Sequence, residues 1–211
     1  MPVSKQLNCI FVHIPKTGGT SIETALDMFD DWKIEQPQKL FGLIASTELQ
    51  KHGFLSAFLQ HLTFSEIQTI STDWQDFFSF SFVRNPWDKM VSMYSNPDPH
   101  MVKQARQQGI ELTKISFAEF INNTGKIQHI HLLEQHKFIF DNNKQLVDFI
   151  GRFENLEADF QQLTKLIGIS CQLPHRNKSQ RKSYQDYYDS DTQAIVAERY
   201  QQDISMFGYS F

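Results

Sequence analysis

Near its start the chain has a short apolar run that leads through a glycine turn into an amphipathic segment. Cys9–Val12 has the composition of a buried strand, and residues 13–21 read His-Ile-Pro-Lys-Thr-Gly-Gly-Thr-Ser. Two adjacent glycines let the backbone pass close to a ligand, and a helix that starts there offers N–H groups and the positive end of its dipole. Lys16 adds a mobile positive charge. The pattern predicts a strand, an anion-binding loop and a helix, which together begin an α/β fold.

The order of residues in this loop bears on which anion it binds. A nucleoside-triphosphatase loop needs Gly-x-x-x-x-Gly-Lys-Ser/Thr, whereas here Lys16 precedes Gly18 and Gly19. Kinase and ATPase interpretations are therefore disfavoured. An ordinary glycine turn without a ligand remains the alternative at this point. The spacing of Thr20 and Glu23 predicts a capping box at the start of the helix.

A second strand-to-helix transition lies further along the chain. Residues 77–83 form a phenylalanine-rich run, which predicts a buried strand. Asn85 suits the N-cap of the next helix and Pro86 suits its first position. Arg84 at the strand end and Ser92 two turns into the helix are placed to hold a phosphate group. The alternative is that Arg84 pairs with an acidic neighbour and that Ser92 is an incidental surface hydroxyl.

These motifs resemble the sulfotransferases, and most closely the carbohydrate-type group called sulfotransferase family 2. The similar segments span almost the whole chain: residues 15–21, Arg84 with Ser92, and residues 147–156, 175–179 and 203–209. The resemblance implies 3′-phosphoadenosine 5′-phosphosulfate as co-substrate, called the phosphosulfate donor below. It implies that the 5′-phosphosulfate is bound by Pro15, Lys16, Thr17, Gly18, Gly19, Thr20 and Ser21, and that the 3′-phosphate is bound by Arg84 and Ser92.

The resemblance also implies a reaction in which an acceptor hydroxyl displaces the adenosine bisphosphate in line. Lys16 would stabilise the charge that develops on the leaving oxygen. No metal is expected, because a sulfuryl group carries less charge than a phosphoryl group. Histidine is the usual base near neutral pH. We expect His52 to be this base, because its segment resembles one in related carbohydrate sulfotransferases, and His61 is the second choice.

Other polar residues receive structural roles or open alternatives. His13 is predicted to belong to the first strand. His129, His131 and His136 are not expected to bind a metal, because their spacing does not put them on one helical face and no cysteine is near. Gln135 resembles a glutamine on the acceptor side in relatives, and a solvated side chain is the alternative.

A basic segment without acidic residues occupies residues 175–183. By resemblance, Lys178 and Ser179 are implied as donor-binding residues. Arg181 or Lys182 could contact an anionic acceptor. A solvated, charged loop is the alternative.

Composition limits the class of protein. The 211 residues include 20 Lys and Arg against 24 Asp and Glu, a net charge of −4. No overall basic field therefore favours nucleic acid or a membrane surface. We expect one soluble, cytoplasmic domain over residues 1–211 without a membrane span, and no particular oligomeric state is favoured. Golgi members of the family carry an anchor that this sequence does not show, so it resembles a bacterial member or an excised catalytic domain.

Strand-like runs alternate with helical segments, which is typical of an open parallel sheet. The runs are residues 9–14, 77–83 and 146–152. We expect a three-layer α/β sandwich with a central parallel sheet, similar to P-loop nucleoside triphosphatases and sulfotransferases. The predicted helices are residues 20–29, 63–70, 86–94, 116–122, 156–167 and 191–206, with Glu66 and Glu119 completing capping boxes. Ligands of such sheets bind beyond the carboxyl ends of the strands, so Lys16 and Arg84 are expected to converge.

The leading hypothesis is a sulfotransferase that acts on a hydroxyl, with a saccharide as the expected acceptor. Two alternatives belong to other classes of protein. A P-loop-like nucleotide kinase should bind ATP with magnesium. A noncatalytic module that binds nucleotide or glycan should keep the anion-binding loop without needing a base.

Overall fold

The computed structural model describes residues 3–28, 53–54, 58–70, 73–174 and 181–211. The chain forms two compact units, each built from two stretches of sequence. The first unit comprises Met1–Val83 and Lys137–Asn177, and the second comprises Arg84–His136 and Lys178–Phe211. The prediction of one domain over residues 1–211 stays a prediction.

A mixed sheet forms the centre of the first unit. Its strands, in spatial order, are β1 (Val3–Ser4), β2 (Cys9–Val12), β3 (Phe78–Val83) and β6 (Phe149–Arg152). β2, β3 and β6 pair in parallel, whereas β1 joins the edge antiparallel to β2. The predicted α/β class with three parallel strands is therefore confirmed. The edge strand was not predicted, because two residues are too few to show a strand pattern.

Helices and a small hairpin complete the first unit. The helices are α1 (Gly19–Ala25), α2 (Phe64–Ile70) and α7 (Leu156–Leu166), with α6 (His136–Ile139) at the unit boundary. The hairpin pairs β4 (Phe140–Asp141) with β5 (Lys144–Gln145). The core is aromatic and aliphatic, and it includes Phe11, Ile22, Phe80, Phe82, Phe160 and Leu163. The predicted capping box of α2 is confirmed, because the Glu66 carboxylate accepts from the Thr63 N–H and the Thr63 hydroxyl accepts from the Glu66 N–H.

The second unit is helical in its described part. Its helices are α3 (Pro86–Ser95), α4 (Pro99–Gln107), α5 (Phe117–Thr124), α8 (Ser190–Arg199) and α9 (Gln201–Phe207). They pack on a core that includes Trp87, Met90, Met101, Phe120 and Tyr200. Asn85 caps α3 by accepting from the Trp87 N–H at 3.0 Å, as predicted. The capping box of Ser116 and Glu119 is also confirmed.

The helices of this unit differ from the predicted ones in two places. Helix α4 was not predicted, because Pro97 and Pro99 are typical of an irregular segment, which the structure has only at residues 96–98. Asp98 instead caps the helix and Pro99 occupies its first position, where a missing N–H costs nothing. The single helix over residues 191–206 is two helices that meet at Tyr200, whose ring is buried and whose hydroxyl donates to the Leu132 carbonyl oxygen at 3.0 Å.

None of the helices in the described part of the chain combines the length and apolar character needed to traverse a bilayer. The three-layer arrangement and the P-loop-like topology stay predictions.

Candidate active site

Residues 14–21, called the phosphate loop below, connect β2 to α1. Lys16 and Gly18 both have left-handed backbone conformations, with φ of 69° and 87°. Such a conformation is strained for lysine, so the surrounding structure must hold it. Thr17 contributes to this, because its buried hydroxyl donates to the carbonyl oxygen of Ile14 at 2.8 Å and closes the turn.

Helix α1 begins differently from the prediction. Its N-cap is Gly18, which provides no side-chain cap, and the exposed Thr20 lies within the helix. The predicted capping box of Thr20 and Glu23 is therefore wrong. The first hydrogen bonds of the helix run from the N–H groups of Ser21 and Ile22 to the Gly18 carbonyl oxygen, at 3.0 and 3.4 Å. The N–H groups before Ser21 precede these first helical hydrogen bonds, so they can be directed at an anion.

The second glycine of the loop is required by a neighbouring side chain. A Cβ atom on Gly19 would lie 2.0 Å from Nε2 of His13 and 2.2 Å from its Cδ2. The imidazole cannot retreat easily, because it stacks on Phe11 with ring centroids 5.2 Å apart. Any larger residue at position 19 would therefore displace either the loop or His13.

A buried carboxylate lies at the centre of this region. Glu23 is fully buried, and its Oε1 lies 2.9 Å from His13 Nδ1. Gln60 Nε2 donates to both carboxylate oxygens, at 2.9 and 2.7 Å. Burial by itself would raise the pKa of Glu23, but the charge and hydrogen bond of His13 are the first of the effects that outweigh it and hold the pKa well below its usual range. Glu23 is thus ionised, and His13 Nδ1 donates to it.

His61, one of the two predicted bases, lies next to this cluster. It ends a 3₁₀ turn, Leu59–His61, and is buried. Its Nδ1 lies 2.9 Å from the carbonyl oxygen of His13, and the two imidazole rings meet edge to face with centroids 4.8 Å apart. A carbonyl oxygen only accepts, so Nδ1 must carry a proton. In the neutral ring the lone pair is then on Nε2, which is the tautomer that a base using Nε2 requires.

In the second unit, Arg84 is held by an acidic neighbour. Its Nε donates to Asp88 Oδ2 at 2.8 Å, and one terminal nitrogen lies 2.7 Å from the same oxygen. Asp88 is thus the acidic neighbour with which the alternative paired Arg84, and the binding of a phosphate by Arg84 and Ser92 stays a prediction. Asp88 also accepts from Arg181, so that one carboxylate gathers two guanidinium groups. Ser92 lies half-buried on α3.

Gln135 fixes the backbone of Arg84 from both sides. Its Oε1 accepts from the Arg84 N–H at 2.8 Å, and its Nε2 donates to the Arg84 carbonyl oxygen at 2.7 Å. Gln135 is fully buried, so the alternative of a solvated side chain is wrong. Asp203 in turn accepts from the N–H groups of Gln135 and His136, at 2.7 and 2.9 Å. Sequence reasoning missed Asp203, although an acid on a largely apolar helix face was a signal that could have found it.

The three histidines at positions 129, 131 and 136 lie at two different places in the second unit. His136 Nδ1 lies 2.7 Å from Asp203. His129 and His131 instead lie beside Asp98, with one potential ligand atom from each of the three residues within 4.8 Å of the others. Two of these residues already serve local structure, because Asp98 caps α4 and His129 Nδ1 accepts from the His131 N–H at 3.3 Å. The absence of a metal stays a prediction.

Three predicted site residues lie outside the described residues. They are His52, the first-choice base, and the donor-binding candidates Lys178 and Ser179. Their roles stay predictions.

Comparison with known proteins decides the family. The model described as "Sulfotransferase family" matches residues 1–210, which is nearly the whole chain. The chain belongs to the sulfotransferase family. Within this sulfotransferase-family chain, the described donor-binding candidates are the phosphate loop in the first unit and Arg84 with Ser92 in the second.

Two relatives align with different shares of this chain. A protein of Archaeoglobus fulgidus named only as uncharacterized is 34% identical over 97 residues, which is 46% of this chain and 72% of the relative. Carbohydrate sulfotransferase 11 of Danio rerio is 23% identical over 241 aligned positions, which cover 99% of this chain. The alignment spans 66% of that relative's own length. No solved structure matches the chain significantly.

Proposed function

We propose that this protein transfers a sulfuryl group from the phosphosulfate donor to a hydroxyl group of a carbohydrate. The match of the sulfotransferase family model to residues 1–210 is the observation that carries the proposal. The similarity to a carbohydrate sulfotransferase over 99% of the chain supports a saccharide acceptor.

The donor is proposed to bind through two groups of residues. The phosphate loop takes the 5′-phosphosulfate, using N–H groups at the start of α1 and the charge of Lys16. The left-handed conformations of Lys16 and Gly18 support this, since they turn the backbone before the helix begins. Arg84 takes the 3′-phosphate together with Ser92, and its planar guanidinium suits bidentate recognition of such an anion.

The chemistry needs one base and one cation. The base removes the proton of the acceptor hydroxyl as its oxygen forms a bond to sulfur, and the bond from sulfur to the bridging oxygen breaks. Lys16 stabilises the negative charge that the leaving adenosine bisphosphate gains. We propose His61 as the base among the described residues, because its Nδ1–H donates to the His13 carbonyl oxygen, and this tautomer places the lone pair of the neutral ring on Nε2.

Nucleotide binding provides the first test. Calorimetry should show that adenosine 3′,5′-bisphosphate binds at least about tenfold more tightly than adenosine 5′-phosphate, which lacks the 3′-phosphate. Arg84→Ala should abolish this preference, whereas Lys16→Ala should weaken the binding of both nucleotides. Lys103→Ala, on the exposed surface of α4, is the control that should change neither. Tighter binding of ATP with magnesium than of the bisphosphate would support the kinase alternative and contradict the proposal.

Transfer of labelled sulfate from the donor to a panel of glycans, lipids and phenols provides the second test. His61→Ala should lower kcat by about a hundredfold or more, with binding of the bisphosphate within about threefold of wild type. His52→Ala, measured in parallel, tests the other candidate for the base. His100→Ala, at an exposed position of α4, is the control. Wild-type protein that binds the bisphosphate but transfers sulfate to none of these acceptors would support a noncatalytic module.

A further inference from the structure

One buried carboxylate joins three neighbouring parts of the first unit. Glu23 lies on α1, His13 lies between β2 and the phosphate loop, and Gln60 lies in the 3₁₀ turn that carries His61. Glu23 contacts both of the other side chains at hydrogen-bond distance, 2.9 Å to His13 and 2.7 Å to Gln60. The carboxylate therefore fixes the helix, the strand end and the turn relative to one another within this unit.

The position of His61 depends on His13 and Gln60, which both contact Glu23. Its Nδ1–H bonds to the backbone carbonyl of His13, and its ring packs edge to face on the His13 ring. Its preceding neighbour in the chain is Gln60, whose amide donates to both Glu23 oxygens. A shift of either partner would move the His61 ring or break the hydrogen bond that selects its tautomer.

A buried ionised carboxylate is a costly way to join elements of a fold. Removing such a group from water costs several kcal/mol unless hydrogen bonds compensate, and apolar packing of equal volume often serves stability as well or better. Charged hydrogen bonds, however, fix atoms to well-defined distances and directions, which a reacting group requires. This favours a role in positioning over a role in stability alone.

We infer that Glu23 is a positioning residue that acts through Gln60 and His13 to hold His61 beside the phosphate loop in the tautomer that a base needs. The inference rests on the proposed function, in which His61 accepts the proton of the acceptor hydroxyl. Glu23 itself contacts no substrate in this scheme. Its effect on the reaction should therefore disappear when His61 is removed.

A reversed pair of side chains tests the inference. Gln60→Glu places a second carboxylate against Glu23, and the two like charges should push the turn away from α1. Adding Glu23→Gln restores one carboxylate and one amide with their positions exchanged. We expect Gln60→Glu to lower kcat by about thirtyfold or more, while its affinity for adenosine 3′,5′-bisphosphate stays within about threefold of wild type. The double variant should regain at least about tenfold in kcat. Gln68→Glu, on the exposed face of α2, adds the same charge without contacting Glu23 and should leave kcat unchanged.

Two measurements separate positioning from general destabilisation. In a His61→Ala background, Gln60→Glu should cause no further loss of kcat, because the group that it misplaces is already absent. In proton NMR of wild-type protein, the ring N–H of His61 should give a slowly exchanging downfield signal, assigned by its loss in His61→Ala. That signal should be lost in Gln60→Glu and return in the double variant.

The outcomes are distinguishable from failure of the proposed function. An equal loss of kcat from Gln60→Glu with and without His61, or an unchanged His61 ring signal, would overturn the inference. If wild-type protein transfers no sulfate, the proposed function fails, and the ring signal alone still decides whether Glu23 and Gln60 hold His61.

Discussion

The two strand-to-helix transitions of this chain are supported in different ways. At the start of α1 the N-cap is Gly18, which provides no side-chain cap. The supporting hydrogen bonds join Glu23 to His13, 10 residues away, and to Gln60, 37 residues away. After β3 the N-cap is Asn85, which accepts from a backbone N–H two residues away, and Arg84 pairs with Asp88 four residues away. The start of α1 thus lacks a side-chain cap and relies on the side chains around it, whereas the start of α3 carries its own cap and is held in addition by Gln135.

This difference matters for how each transition should respond to substitution. A turn that depends on long-range packing fails when a distant neighbour is displaced, even if its own sequence is intact. A turn that carries its own cap loses the free energy of that cap when the capping residue is replaced, while bonds from other segments still hold it. The three predictions below test this contrast, in order of decreasing effect.

Gly19→Ala should cause the largest effect. The new Cβ atom would lie 2.0 Å from His13 Nε2, so that the loop or the imidazole must shift. We expect the free energy of unfolding to fall by about 1–3 kcal/mol, and binding of adenosine 3′,5′-bisphosphate to weaken by about tenfold or more. Urea denaturation and calorimetry measure the two quantities.

Gly125→Ala is the matched control for this substitution. Its Cβ atom would lie 3.0 Å from a terminal nitrogen of Arg199, the far end of a flexible side chain, and the backbone at Gly125 is already right-handed. The loss of stability should be under about 0.5 kcal/mol. A Gly19→Ala protein as stable as this control would show that the phosphate loop does not depend on its contact with His13.

The buried charges of the two units should both make stability rise with pH, but in different pH ranges. The pKa of Glu23 in the first unit is held below its usual 4.5, so its contribution to stability is present above that pH and is lost as pH falls. In the second unit burial lowers the pKa of Lys89 to about 8 from 10.5, against the raising effects of Asp203 and Glu134. The folded protein therefore releases this proton first, and stability should rise between pH 8 and 10.5.

Denaturation curves across pH separate these two contributions. The stability of wild type relative to Glu23→Gln should decrease below about pH 4.5. The stability of wild type relative to Lys89→Met should increase between about pH 8 and 10.5. A flat difference for Lys89→Met across that range would mean that the ammonium group is solvated in the folded protein.

The smallest effects concern the helix caps. Asn85→Ala should lower the free energy of unfolding by about 1–2 kcal/mol, because the first turn of α3 loses its cap and the Ser210 carbonyl oxygen loses the hydrogen bond from the Asn85 amide. Thr20→Ala should cost less than about 0.3 kcal/mol, since Thr20 is exposed and caps nothing. An equal loss from both substitutions, measured by urea denaturation, would restore the capping role that the sequence pattern assigned to Thr20.

Sequence patterns predicted those parts of the fold that depend on local chemistry. The parallel strands, the cap of α3 and the capping boxes at Thr63 and Ser116 each follow from residues within one turn or one short run. The boundary between α3 and α4 was harder to predict, because a proline such as Pro99 is typical both of the end of one helix and of the first position of the next. The break at Tyr200 depends on a contact with Leu132, which no local pattern reveals.

The candidate site shows the same limit. The phosphate loop and Arg84 were selected as motif residues, His61 was only the second choice of base, and an acidic partner for Arg84 was foreseen as an alternative. Glu23 was assigned to a local capping box because Thr20 lies three residues before it. Its actual partners, His13 and Gln60, are brought to it by the packing of α1 against distant segments. The roles of Gln135 and Asp203 were missed for the same reason.

The left-handed backbone of Lys16 has a consequence for natural variation. Glycine and asparagine adopt this conformation more easily than lysine, so substitutions that remove the charge would also relieve strain. Among substitutions at this position, a deep mutational scan that scores cellular abundance should rank glycine and asparagine highest, while under the proposed function a scan for catalysis should rank both as inactive. The backbone conformation at this position therefore favours residues that the proposed chemistry excludes.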